Sequence, residues 1–176
     1  MMQLYKDDIP WLALSVRQPW AGAIIYGGKD IENRTLGSIR AGRMKPGRIC
    51  IHAATGMTQD EYRWGSWRLE KHGVACPLPT DLFRGAIIGH VDVTEIVTDS
   101  DSPWFGGKAG LRLKDPIAMA PIPAKGTLGY FEWEQTDSFA PTVPWMSKYE
   151  SERNQPSLFE DLQLQFSSEP RKPFGS

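Results

Sequence analysis

Apolar and polar positions along this chain change period several times, and each change marks an element. Leu12 to Arg17 reads as a first strand. A short helix follows. Pro19 suits a first helical position, because its fixed φ fits and its missing N–H would be unpaired there anyway. Trp20, Ala23, Ile24 and Ile25 give that helix one buried face, and Gly27-Gly28 stops it. Arg48 to Ala53 is a second strand, introduced by the Pro46-Gly47 turn. Thr58 with Glu61 three residues on forms a capping box, which predicts a helix running to His72 and ended by Gly73. Gly85 to Val97 reads as a long strand, with shorter ones at Ala109–Leu113 and Gly129–Trp133. Between those two lies a link from Asp115 to Lys125, whose Pro116, Pro121 and Pro123 are too dense for a central strand.

Few helices among several short strands and Gly/Pro turns predict a compact α+β barrel. After Gln135 the composition turns to Ser, Pro, Glu and Gln without a sustained period. Residues 1–135 therefore read as the folded domain and 136–176 as a flexible tail, with too little apolar surface to offset the entropy of ordering. Seven Trp and a hydrophobic content of 40% in 176 residues suffice for a real core. No apolar run approaches the roughly 18–20 residues of a membrane span. Met1 to Trp11 has no apolar h-region, so it does not read as a signal peptide. Cys50 and Cys76 form no spaced motif and read as buried free thiols, which fits a reducing cytoplasm. His52, His72 and His90 are too scattered for a zinc site. No cofactor is indicated, and a divalent metal held by carboxylates would leave no mark in this pattern.

The formal net charge of −1 argues against a strongly basic nucleic-acid binder, but it hides an asymmetry. Between residues 29 and 48, six cations face only Asp30 and Glu32. Such a stripe either holds phosphates or is a solvated loop. Residues 150–161 are acidic instead, with four carboxylates against Arg153. Polar chemistry concentrates around the first helix. Arg17 and Gln18 stand at its entrance, and Lys29, Glu32, Asn33 and Arg34 just beyond its exit. If the exit segment folds back beside the helix, all of these line one cleft.

With these residues in view, the chain resembles an ASCH domain (activating signal cointegrator homology) of the PUA-like superfamily. The resemblance runs from about Leu12 to Glu134. It is carried by Ser15-Val16-Arg17-Gln18-Pro19-Trp20-Ala21, the Gly28 to Arg34 element, Gly47 to Ala53, and Gly85 to Val91. It implies a small β-barrel with flanking helices and a cleft that binds RNA or a nucleotide-like ligand. Some branches look like nucleic-acid binding modules. Another resembles amidohydrolases acting on N4-acetylcytidine through a Lys, a Thr three residues later and a distant Glu, and ribonuclease activity is attributed to bacterial members. Lys29 and Arg34 match the family's lysine and arginine. Glu32 stands at the threonine position, and a carboxylate there cannot replace a hydroxyl nucleophile without changing the mechanism.

Each candidate has two readings. Lys29 polarises a ligand or meets a phosphate while Glu32 serves as base, or the two form a structural ion pair. Arg17 grips a phosphate with its fork of donors or pairs with Glu32. Trp20 stacks on a base or anchors the helix in the core. Asn33 meets a base beside Glu32. His52 ends a buried strand and reads better as a neutral, hydrogen-bonded residue than as a catalytic one. The loop Ser102–Lys108 is a flexible lid carrying Trp104, or a plain hydrophobic plug. In the tail, Gln155-Pro156-Ser157-Leu158-Phe159 resembles the pentapeptide that binds bacterial sliding clamps. Leu158 and Phe159 would be its apolar anchors and Gln155 a hydrogen bond at the pocket's edge.

Overall fold

In a computed structural model, which describes residues 8–152, the strands join one six-stranded mixed sheet in the order β2-β5-β4-β3-β1-β6. They comprise β1 (Leu12–Val16), β2 (Ile31–Asn33), β3 (Gly47–Ala53), β4 (Ala86–Val97), β5 (Gly110–Pro123) and β6 (Tyr130–Glu132). Only β1 and β3 run parallel, and the other neighbours are antiparallel. The α+β class holds, but the sheet is not closed into the barrel expected from the sequence. Its edge strands β2 and β6 are three residues each and stand at opposite ends of the order. Closure needs edge strands that pair along their length, and these pair only with β5 and β1.

Alternation along the strands builds two apolar layers. Leu14, Val16, Ile49, Ile51, Val91 and Val93 pack on one side with helix α1 (Trp20–Tyr26). Ala13, Cys50, Ile87, Phe131 and Trp133 fill the other side. A period of two places neighbours in sequence on opposite faces, so one strand serves both layers. Helix α3 (Gln59–Lys71) opens on the expected capping box, with Thr58 Oγ1 accepting from Glu61 and Glu61 reaching back to the Thr58 N–H. Gly65 lets it lie close to α1: a Cβ there would stand 2.6 Å from the Pro19 ring.

Three expectations change. The proline-rich link is strand, because β5 continues to Pro123 along β4. The proline rule still holds locally. β2 pairs only with Gly110, Leu111 and Arg112, so beyond Leu113 the outer side of β5 is an edge where a missing N–H breaks no ladder. Asp115, at φ 52, and register shifts in the pairing absorb the irregularity. Helix α2 (Leu36–Ala41) lies inside the stretch read as a charged segment. Thr35 caps it by accepting from Ser38 N at 3.0 Å, and Ile39 is the one residue it buries. Finally, the folded part extends past residue 135. Met146 is only 1% exposed and packs with Met57, Tyr62 and Leu82, while Met146–Glu152 forms a 3-10 turn. The clamp-like peptide with Gln155, Leu158 and Phe159 lies outside the described residues. Among those described, no helix is long and apolar enough to cross a membrane.

Candidate functional site

The parallel register of β1 and β3 sets Ser15 directly beside His52. Ser15 Oγ lies 2.9 Å from His52 Nδ1, and His52 Nε2 lies 2.8 Å from the Ala124 carbonyl. A carbonyl only accepts, so Nε2 carries the imidazole proton and Nδ1 accepts from the serine hydroxyl. Burial lowers the pKa of His52, against the opposing pull of the Ala124 carbonyl. His52 is thus neutral and fully hydrogen-bonded, as its place at the end of a strand suggested.

β2 and the residues flanking it supply a charge cluster. Lys29 Nζ donates to Glu32 Oε2 at 2.8 Å and to the Ile31 carbonyl at 2.5 Å. Arg34 donates to the Ser15 carbonyl at 3.0 Å and lies 3.2 Å from Glu32 Oε1. One carboxylate therefore holds two cations, leaving the cluster with an excess positive charge. Arg34 Nε is buried and has no hydrogen-bond partner among the described residues.

Ser15, His52, Glu32, Asn33 and Arg34 line a cleft of about 630 Å³. Arg17, Trp20 and the turn at residues 126–129 also line it. Arg17 is held at 2.6 Å from Glu61 of α3, and this bond keeps the Glu61 carboxyl below its ordinary pKa. Trp20 is partly buried and meets both the core and the cleft. Its ring lies edge-to-face against Trp64 at 5.6 Å.

Two candidates fall elsewhere. Lys29 is 5% exposed and does not line the cleft, so it reaches a ligand only through Glu32. Gln18 is buried, donating to the Phe83 carbonyl and accepting from Gly22 N. Its amide ties the start of α1 to the chain before β4. Asn33 lines the cleft, but its amide is engaged with Trp104 O and Gly106 N. That engagement ties the loop Ser102–Lys108 to β2. Trp104 is buried among Ala23, Ile31, Leu69 and Val97 and stacks on His72 at 3.8 Å.

Sequence reasoning missed Ser15 and the Gly126–Gly129 turn. Ser15 stood inside a quoted motif, but only strand register brings it to His52. Gly126 left a fainter signal, a glycine at each end of a turn. A Cβ at Gly126 would stand 2.5 Å from His52 Cε1 and 3.0 Å from Ser15 Oγ, so a bare backbone is needed there. No known family model and no curated protein matches the chain.

Proposed function

We propose that the cleft binds a nucleotide unit of a nucleic acid, RNA being the polymer that the ASCH resemblance implies. The observation that carries this is the convergence of Arg17, Arg34 and the Trp20 ring on one hollow of about 630 Å³, within the 300–1,000 Å³ typical of ligand pockets. Arg17 and Arg34 meet phosphate oxygens, Trp20 offers a face to a base, and Glu32 accepts from a base N–H. Lys29 is a positioning residue that holds Glu32. Titration with single-stranded RNA at several salt concentrations tests this. Arg17→Ala, which breaks only a half-exposed ion pair, is expected to flatten the dependence of log K on log salt by about 0.7. An unchanged affinity and slope would remove the phosphate role.

A second reading, hydrolysis of a modified nucleoside or of RNA, is supported by Ser15 and His52. A neutral imidazole beside a hydroxyl is the pairing that activates a serine nucleophile. Incubation with N4-acetylcytidine and with RNA, with and without divalent metal, then yields product that Ser15→Ala does not. Absence of product in every mixture leaves the binding reading alone.

A further inference from the structure

The outward face of α3 carries Trp64, 56% exposed, and Trp67, 52% exposed. Two half-exposed indoles three residues apart are neighbours on one helical face, and an apolar patch kept in water marks a surface with a partner. Each ring has a cation over it: the Arg68 guanidinium lies 5.2 Å from the Trp64 centroid and Lys71 Nζ 5.5 Å from that of Trp67. Moreover, the patch joins the cleft. Trp20, in the cleft wall, meets Trp64, and Arg17 at the rim is bound to Glu61 one turn before Trp64. From Glu61 to Lys71 the helix advances about 15 Å at 1.5 Å per residue.

We infer that this face of α3 binds the stretch of single-stranded nucleic acid that leaves the cleft, with flanking bases stacking on Trp64 and Trp67 and their phosphates passing Arg68 and Lys71. Aromatic platforms interleaved with cations accept any base, since every base has a π-face, and the cations follow the backbone. A protein partner fits less well at Trp67, because such interfaces are depleted in lysine and Lys71 lies over that ring. The inference rests on the cleft reading, since Trp20 is the link between the two surfaces.

Binding of uridine 5′-monophosphate and of a ten-nucleotide oligouridylate, measured by calorimetry on the full chain, tests it. The decamer is expected to bind much more tightly than the monophosphate. Trp67→Ala, which touches nothing in the cleft, leaves monophosphate affinity unchanged and lowers decamer affinity on the order of tenfold. Trp67→Phe, which keeps an aromatic face, restores most of that loss. Equal decamer affinity in wild type and Trp67→Ala would overturn the inference while leaving the cleft reading intact, and would give the helix face to a protein partner. Equal loss in the Phe and Ala variants would also overturn it, as stacking would not be the cause. Failure of the wild-type chain to bind either ligand would overturn both readings together.

Discussion

Glu32 concentrates the electrostatics of the site in one side chain. It is 8% exposed and holds Lys29 and Arg34 on its two oxygens. Removing one partner of a buried ion pair leaves an uncompensated charge and costs about 3–5 kcal/mol. Glu32→Gln is therefore expected to lower unfolding free energy by about that amount in urea titration, because it strands Lys29. Lys29→Met should cost less, since Glu32 keeps Arg34. Equal costs would mean that the Arg34 contact contributes nothing. The pairing of Lys29 with Glu32 was legible from their spacing. That the ammonium points inward, to the Ile31 carbonyl, was not. The side of a strand on which a long side chain lies depends on the sheet's neighbours, and those are set by distant residues. Gln18 was misplaced for the same reason, its partner Phe83 lying 65 residues away.

At the scale of elements, those with local punctuation were readable. The capping box of α3 is written in Thr58 and Glu61, and its structural bonds are the ones expected. Thr58→Ala should cost about 1 kcal/mol, visible as a lower urea midpoint. An unchanged midpoint would mean that the helix is held by packing alone. β5 and α2 were not readable, each for a definite cause. Proline density excludes a central strand, but the distal half of β5 is paired on one side only. α2 buries a single residue, Ile39, so no helical period reaches the sequence. The loop Ser102–Lys108 is tied to β2 by contacts the pattern does not show, Asn33 donating to the Trp104 carbonyl and accepting from Gly106 N.

For the whole molecule, the α+β class and the layering of the sheet follow from strand alternation. Barrel closure did not follow, because only pairing at the two edges decides it. Acid should destabilise this fold. His52, His72 and His90 all have pKa values below the ordinary 6.5, burial being the first cause in each case. Below that pH the unfolded chain binds protons that the folded chain refuses, so stability is full above about pH 6.5 and is lost as pH falls towards the folded values. The carboxyls of Glu61 and Asp92, held low chiefly by hydrogen bonds from Arg17 and Arg48, add a loss of the same sign below about pH 4.5. Urea midpoints at pH 7.5 and 5.5 check this, and equal midpoints would refute it. Cys50 and Cys76, whose pKa values burial raises to about 12, should react slowly with thiol reagents until the chain unfolds.

Resonance assignments would allow the most direct test of the cleft. Titration of ¹⁵N-labelled protein with uridine 5′-monophosphate should shift the signals of Ser15, Arg17, the Trp20 indole, Arg34 and the Gly126–Gly129 turn, leaving the buried Gln18 amide still. Saturable shifts that avoid those residues, or no shifts at all, would contradict the account.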